Sequence, residues 1–271
     1  MNPRVGLLEA LLFRHGLGAI AELVYGRMNR VEVFGDPQSL VPRNENLLIC
    51  LNHLSHLDAG VPVCAMLPFI GGRPSVAGRV IAAQDVYFSS FPLALFSRHV
   101  LRLSPIDRHG GVRQDALACA ITDLRTTSSG RFLIAFPEGT RSRLGRLNRP
   151  RAGVGRIAVE ASVTVVPCFI RGTEQVLGIS TPLRNIGTGR LVELHIGAKM
   201  RFDDLLPNGP DHWNAASERI MDAIIALGVA AGHLAIDQNE PPGPSWMRSH
   251  YLFSKDVEPR STEHKTTAAS S

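Results

Sequence analysis

The chain has 271 residues, of which 44% are hydrophobic, and a formal net charge of +5 from 29 Lys and Arg against 24 Asp and Glu. This length and composition predict one globular domain with a large core. The modest positive charge suits a phosphate-bearing ligand or an anionic membrane surface and is too small to indicate a nucleic-acid-binding protein, and no helix-turn-helix, zinc-finger or aromatic-basic repeat is present.

The first 30 residues place leucines at helical spacing with arginines between them. Gly16 and Gly18 are expected to divide this stretch into two short helices. A basic amphipathic helix of this kind lies in a membrane interface, with arginines at the headgroups and leucines below. The alternative is an ordinary helix packed on the domain.

From Val31 the pattern changes to short apolar runs that alternate with helical segments. Strands are predicted at RVEVFG, NLLICLNH, HVLRLSPIDR, RFLIAF, VTVVPCFIRG and RLVELHIGAKM, the last of them at an edge of the sheet. Helices are predicted at DAGVPVCAM, GRVIAAQDVYFSSFPLALFSR, QDALACAITDLRT, AGVGRIAVEAS and WNAASERIMDAIIALGVAAG. The order predicts a single α/β domain over residues 31–236, with a mostly parallel mixed sheet flanked by helices.

Residues 237–271 are rich in Pro, Ser, Thr and charge and have little to bury, so we expect a disordered C-terminal tail. The four cysteines are far apart without a CxxC pair, which predicts buried reduced thiols instead of disulfides or a zinc site. Glu9 interrupts the first apolar stretch, no cleavage site follows it, and no run is long enough to span a bilayer. We therefore expect a cytoplasmic protein.

The segment CLNHLSHLDAG follows an apolar strand and contains His53, His56 and Asp58. Because Asp58 lies where the next helix begins, a turn could bring its carboxylate to one nitrogen of the His53 ring. The carboxylate would fix the imidazole tautomer and leave the other nitrogen free to accept a proton. The spacing alone is a weak signal, and a core histidine with satisfied polar atoms is the alternative. His56 competes for the role but lacks a carboxylate at the same spacing.

A second polar segment, FPEGTRSR, leaves the predicted strand RFLIAF. Pro137 and Gly139 bend the chain, and Arg141 and Arg143 crowd the turn. Exposed backbone N–H groups and guanidinium groups bind phosphate well, so this segment is a candidate anion-binding loop. A solvated surface loop is the alternative.

Together these segments resemble the glycerolipid acyltransferase superfamily, typified by 1-acyl-sn-glycerol-3-phosphate acyltransferases. The resemblance rests on four blocks in order over about residues 31–173: NHLSHLD, LSPIDR, FPEGTRSR and VVPCFIRGT. It implies the α/β acyltransferase fold, with residues 31–236 as the catalytic domain. It also implies O-acyl transfer from acyl-CoA or acyl-carrier protein to the hydroxyl of a lysophospholipid, most simply 1-acyl-glycerol-3-phosphate, at the cytoplasmic face of a membrane.

The resemblance also implies roles for individual residues. His53 would be the general base and Asp58 would orient it. Arg108 would bind the acceptor phosphate, and Pro167 would shape the acyl-donor side. The acceptor-binding loop would comprise Glu138, Gly139, Thr140 and Arg141. No cofactor or metal ion is expected, because the acyl thioester is a co-substrate.

Two departures from the family pattern lie in the acceptor region. Leu103, Ser104 and Pro105 occupy a stretch that usually carries a glycine and an aromatic residue. The sequence RPRAG replaces an aromatic-Lys-x-Gly segment, so Arg151 would stand in for the lysine. An acyltransferase with another acceptor, such as glycerol-3-phosphate, a glycolipid or another lysolipid, therefore remains an alternative, and a catalytically silent membrane-binding protein is a second one. A metal-dependent hydrolase is less consistent with the sequence because His53 and His56 have no convincing third ligand.

Overall fold

The computed structural model describes residues 6–71, 76–107, 110–127, 129–142, 146–178, 181–207, 209–236 and 251–254. The strands run over Arg30–Phe34 (β1), Leu47–Leu51 (β2), Ala77–Ala83 (β3), Leu103–Ile106 (β4), Arg131–Ala135 (β5), Thr164–Arg171 (β6), Leu191–Ile196 (β7), Leu234–Ile236 (β8) and Tyr251–Phe253 (β9). The first seven form one sheet in the order β1-β7-β6-β2-β5-β3-β4. Every neighbouring pair in it is parallel except β6 and β7. The predicted mostly parallel mixed sheet is therefore confirmed.

Helices cover both faces of this sheet. They run over Leu7–Phe13 (α1), Ala19–Ala21 (α2), Gly60–Ile70 (α3), Gln84–Tyr87 (α4), Phe91–His99 (α5), Asp115–Thr126 (α6), Ala152–Glu160 (α7), Thr173–Leu177 (α8) and Pro210–Ala230 (α9). Strand β2 shows why both faces are apolar: its odd-numbered residues face the core under the N-terminal helix and α3, and its even-numbered residues face the core under α6, α7 and α9. All five β2 residues are buried, as expected for a central parallel strand.

The N-terminal segment is one continuous helix, in which α1 and α2 alternate with π-helical turns at Arg14–Gly18 and Glu22–Arg27. The prediction that Gly16 and Gly18 divide it is wrong. A Cβ atom on Gly16 would lie 2.3 Å from the carbonyl oxygen of Val100. The glycine therefore allows close packing against the chain that follows α5, and the π-helical turns accommodate it without a break.

One face of this helix is part of the domain core, through Phe13, Leu17, Val24 and other buried residues. The packed-helix alternative is therefore correct for that face. The opposite face leaves leucines exposed, at Leu7, Leu8, Leu11 and Leu23. No helix within the described ranges is both long enough and apolar enough to cross a bilayer.

The segment predicted as one helix over residues 78–98 is wrong in its first part. Ala77–Ala83 is a strand that lies between β5 and β4, and only α4 and α5 are helical. Its Val80 and Ile81 are β-branched and favour a strand, but the apolar residues that follow extend the helical periodicity through this region. Pairing with two neighbouring strands decides the conformation.

Three smaller predictions also need correction. Strand β7 lies between β1 and β6 and is not at an edge of the sheet. Within the predicted tail, β9 pairs with β8 and Phe253 is buried, whereas the rest of residues 237–271 apart from Ser254 lies outside the described residues. All four cysteines are free, but Cys119 is exposed and Cys64 is half-buried, so only Cys50 and Cys168 match the expected burial.

Candidate active site

His53 lies just beyond the carboxyl end of β2, where ligands bind in open α/β sheets. The preceding residue, Asn52, is fully buried, and its amide exchanges two hydrogen bonds with the backbone of Ile170 in β6, at 2.8 and 3.0 Å. Asn52 thus continues the sheet pairing by one residue and fixes the point at which the chain leaves it. The start of the turn that carries His53 is consequently rigid.

Asp58 closes that turn from inside the protein. Its Oδ2 atom accepts hydrogen bonds from the backbone N–H groups of Leu54 and Ser55, at 2.6 and 2.8 Å, and lies 2.8 Å from Nδ1 of His53. The Asp58 side chain is fully buried and that of His53 is 20% exposed. The contact expected between the carboxylate and the imidazole is therefore present, and it is protected from water.

This arrangement determines the histidine tautomer. Because an ionised carboxylate only accepts hydrogen bonds, Nδ1 of His53 carries the hydrogen and Nε2 presents a lone pair. The ring also stacks on Phe136, with centroids 4.0 Å apart and an interplanar angle of 17°. Among the described residues, none hydrogen-bonds Nε2. The geometry is that of an oriented general base with its reactive nitrogen open to a ligand.

His56 has a different environment. Its Nδ1 lies 2.6 Å from the hydroxyl group of Tyr87, and its ring packs edge-on against the same tyrosine. The predicted contact with the Asp58 carboxylate is thus made by His53, whereas His56 contacts a tyrosine hydroxyl group.

Glu138 ties the second polar segment to the first. Its carboxylate is buried and accepts hydrogen bonds from the backbone N–H groups of His53 and Asn148 and from the hydroxyl of Ser142, at 2.7 to 2.8 Å. Burial raises the pKa of this carboxyl group from its ordinary value of 4.5 to about 7, although these donors oppose the shift. The side chain does not line the cavity that contains His53. Glu138 is therefore a positioning residue for the loop.

The loop itself is held by two further contacts. The backbone N–H of Ser142 donates to the carbonyl oxygen of His53 at 2.6 Å, which links the two segments directly. Gly139 has a φ of +65°, and a Cβ atom there would lie 2.8 Å from Cδ of Arg151. Only glycine suits both the left-handed backbone and this approach. The bend thus brings Arg151 against the loop, although the two are twelve positions apart.

One cavity of about 530 Å³ unites these parts, a size typical of a small-molecule site. His53 lines it together with four of the other predicted site residues, Gly139, Thr140, Arg141 and Arg151. Much of the remaining wall is apolar and comes partly from the N-terminal helix, through Leu17, Ile20, Ala21 and Val24. The cavity therefore combines an imidazole and two arginines with an apolar wall of a kind suited to a hydrocarbon chain.

Like Glu138, two other described residues of the predicted set do not line this cavity. Asp58 is fully buried and contacts His53 from behind. Pro167 is buried within β6, in register with Cys50, and its part in donor binding stays a prediction. Arg108 lies outside the described residues, although the adjacent Asp107 lines the cavity.

Sequence reasoning missed the N-terminal helix as a wall of the site, and it also missed Phe136 and Asn148. The helical spacing of Leu17, Ile20 and Val24 did signal an apolar face, but spacing does not reveal what that face covers. Phe136 precedes the polar loop and could have been noted as a ring beside the histidine. Asn148 acts through its backbone N–H group, which no side-chain pattern announces.

Comparisons with known proteins place the chain among acyltransferases. The chain is 29% identical over 139 residues to an N-acylphosphatidylethanolamine synthase of Arabidopsis thaliana, a match that covers 50% of this chain and 48% of that protein. The chain thus spans about half the length of this curated relative. The fold of the chain is similar to the solved structure of the 1-acyl-sn-glycerophosphate (LPA) acyltransferase PlsC from Thermotoga maritima. The TM-score is 0.54 and the sequence identity is 21%, and the match covers 79% of this chain and 78% of that one.

The Acyltransferase family profile matches residues 32–171, which contain His53, Asp58 and the whole polar loop. This match covers more than half of the 271 residues. The chain therefore belongs to the Acyltransferase family.

Proposed function

We propose that this acyltransferase moves an acyl group from acyl-CoA or acyl-carrier protein to the hydroxyl group of a lysophospholipid, with 1-acyl-glycerol-3-phosphate as the first candidate acceptor. The observation that carries the proposal is that His53, in contact with Asp58 behind it, lines one largely apolar cavity together with Arg141 and Arg151. A base, an anion-binding group and a hydrocarbon-sized space are what acylation of a lipid phosphate requires.

The chemical step follows from the tautomer. Nε2 of His53 accepts the proton of the acceptor hydroxyl group while the oxygen of that hydroxyl group attacks the thioester carbonyl carbon. The resulting imidazolium lies against the Asp58 carboxylate, which stabilises its charge in the buried turn. As the C–S bond of the tetrahedral intermediate breaks, the imidazolium returns the proton to the sulfur. The products are the ester and a free thiol, and the step needs no metal ion.

Arg141 and Arg151 are the described arginines proposed to bind the acceptor phosphate. Arg141 lines the cavity from the polar loop and Arg151 lines it from the residue before α7. Guanidinium groups form bidentate hydrogen bonds with phosphate oxygens. Phosphate binding there would place the adjacent glycerol hydroxyl on the side of His53. The proposed role of Arg108 in the same contact rests on the sequence resemblance alone.

A second candidate acceptor is the amine of phosphatidylethanolamine. The relative from Arabidopsis thaliana is named for the product N-acylphosphatidylethanolamine, and the acceptor region here departs from the usual family pattern at Ser104 and Arg151. The same base would then take a proton from nitrogen. The choice between the two acceptors is a question of which headgroup the cavity binds.

We further propose that the protein works at a membrane surface, on the cytoplasmic face. Exposed apolar residues cluster on the N-terminal helix and on α5, and the two elements meet where Gly16 packs on Val100. The exposed set comprises Leu7, Leu8, Leu11, Leu23, Phe91, Leu93, Leu95 and Phe96. An apolar patch of this kind beside a lipid-sized cavity favours direct access from the bilayer.

An acceptor panel tests the proposed reaction. Purified full-length protein is given one defined acyl thioester, supplied as CoA or carrier-protein conjugate, with lysophosphatidate, glycerol-3-phosphate, a glycolipid, another lysophospholipid or phosphatidylethanolamine. Mass spectrometry of the lipids should find phosphatidate as the main product. Product from phosphatidylethanolamine alone would favour the second candidate, and absence of any acylated product with every pair would contradict both.

A further inference from the structure

We propose that Glu193, His195 and His233 form a binding site for a divalent transition-metal ion, with Zn²⁺ as the best fit. One oxygen of Glu193 and one ring nitrogen of each histidine lie within 4.8 Å of one another. None of the three residues lines the cavity that contains His53. The site is therefore separate from the acyl-transfer chemistry.

The three side chains converge because of the sheet and the end of α9. Glu193 and His195 are two positions apart on β7, so they lie on the same face of the sheet. His233 follows α9 and approaches that face from above. Oε2 of Glu193 lies 3.2 Å from Nε2 of His195 and 2.9 Å from Nε2 of His233. Both rings thus direct the same nitrogen at the same carboxylate oxygen.

Aromatic packing holds the two rings in these orientations. His195 stacks on Phe34 with centroids 4.5 Å apart and an interplanar angle of 5°, and Phe169 stacks on His233 at 6.0 Å. The side chains of the three cluster residues are between 11% and 16% exposed. The ligand set is consequently preorganised and partly withdrawn from water, while an ion can still reach it.

The donor set favours Zn²⁺ over Mg²⁺ or Ca²⁺, which prefer oxygen ligands. Zinc bonds of about 2.0–2.1 Å in a tetrahedral arrangement separate ligand atoms by about 3.3 Å, close to the two nitrogen–oxygen distances here. A neutral imidazole binds a metal through one ring nitrogen and carries its hydrogen on the other, so each ring would bind the ion through Nε2 with its hydrogen on Nδ1. Three protein ligands would leave a fourth position for water.

The surrounding charge is compatible with a cation. Oε2 of Glu193 supplies a negatively charged ligand atom within hydrogen-bonding distance of both ring nitrogens. Glu32, the register neighbour of Glu193 in β1, is paired with Arg30 at 2.6 Å. Arg171, the neighbour in β6, is paired with Glu174 at 3.2 Å.

Occupation of the site would connect the end of α9 to the sheet. The carbonyl oxygen of His233 accepts a hydrogen bond from Ser254 at 2.8 Å, next to the small β8–β9 sheet. An ion bound by His233 and β7 would therefore stabilise the C-terminal packing, as expected when a ligand binds only the folded state.

Zinc titration of chelator-treated full-length protein tests the site. Calorimetry in competition with a chromophoric chelator should find one Zn²⁺ per chain, and Zn²⁺ but not Mg²⁺ should raise the midpoint of thermal unfolding. His195→Ala and His233→Ala should each weaken Zn²⁺ binding by at least about 100-fold. His212→Ala removes a histidine outside the cluster and should leave the affinity unchanged.

A second measurement on the wild-type protein does not depend on how the variants fold. Co²⁺ should give visible d–d absorption bands of tetrahedral intensity, and added Zn²⁺ should abolish them. Equal Zn²⁺ affinity in the wild type and in the His195→Ala/His233→Ala double variant would overturn the proposal. A wild-type melting midpoint that does not change when Zn²⁺ is added would also overturn the proposal, because the three side chains would then bind no ion.

Discussion

At the scale of single residues, the candidate site depends on one hydrogen-bonded pair. Oδ2 of Asp58 accepts hydrogen bonds from two backbone N–H groups and contacts the Nδ1 atom of His53. The same oxygen atom therefore fixes both the turn and the histidine tautomer. An asparagine at position 58 would orient its amide group in one of two ways. Its oxygen would face the backbone N–H groups but carry no negative charge, or its NH₂ group would face two N–H groups that also need an acceptor. The pair was predictable because both residues lie within one six-residue turn, whose contacts are local.

The two cavity arginines give a prediction at this scale. Arg141→Ala and Arg151→Ala should each raise the KM for a phosphate-bearing acceptor by about ten- to a hundredfold, because a charge-assisted hydrogen bond contributes about 1.5–3 kcal/mol. Steady-state kinetics with varied acceptor at saturating thioester measures this change. Arg184→Ala, an exposed arginine away from the cavity, is the control. An unchanged KM in both cavity variants would remove the phosphate-binding assignment.

At the scale of elements, the polar loop is positioned by a buried carboxylate that faces away from the ligand. Glu138 accepts from the backbone at His53 and Asn148, so it joins the turn after β2 to the chain before α7. Its assignment to the acceptor-binding loop followed from the family resemblance of the segment FPEGTRSR. Its inward orientation depends on Asn148, ten positions away, and no local pattern encodes that partner.

Glu138→Gln gives a prediction about the pH dependence of stability. In the folded protein the Glu138 pKa is about 7, above its ordinary value of 4.5, so the folded state binds the proton more tightly than the unfolded state. The contribution of Glu138 to the free energy of unfolding is therefore fully present below about pH 4.5 and is lost as pH rises through about 7.

Denaturant unfolding of both proteins across this pH range is the measurement. The free energy of unfolding of the wild type minus that of the Gln variant should fall as pH rises from about 4.5 to about 7 and then level off. Glu160→Gln, which removes a carboxylate paired with Arg156 outside the site, is the control. A difference that does not vary with pH would mean that Glu138 titrates normally.

The elements also show where sequence reasoning reached its limit. Strand β2 was predicted correctly because a continuous apolar run beside a polar turn leaves little choice. Strand β3 was taken for a helix because periodicity alone did not reveal the flanking strands β5 and β4 that pair with it. The cluster of Glu193 and His233 was hidden for a related reason, since forty positions separate residues that α9 brings together.

At the scale of the whole molecule, the N-terminal helix has two roles on its two faces. Leu17, Ile20 and Val24 wall the cavity, whereas Leu7 and Leu8 are exposed. Deletion of the first 30 residues would therefore open the cavity and remove part of the core. A test of membrane association needs substitutions on the exposed face only.

Such substitutions give a prediction about vesicle binding. The variant Leu7→Ser/Leu8→Ser and the variant Phe91→Ser should each reduce flotation with anionic phospholipid vesicles by about tenfold or more, because each buried apolar side chain contributes about 1.5–3 kcal/mol. Leu206→Ser, at a leucine that is 67% exposed elsewhere on the surface, is the matched control. If all variants float as well as the wild type, the apolar patch does not bind the membrane.

The most direct test of the account is the rate of thiol release from an acyl thioester by His53→Ala, compared with His56→Ala, in the presence of acceptor lipid. Both histidines line the cavity, and His53 contacts the buried carboxylate of Asp58. The account predicts that kcat falls by about 10²–10⁴-fold in His53→Ala, with an unchanged circular dichroism spectrum, and by less than about tenfold in His56→Ala. A near-normal kcat in His53→Ala, or a larger loss in His56→Ala, would contradict it.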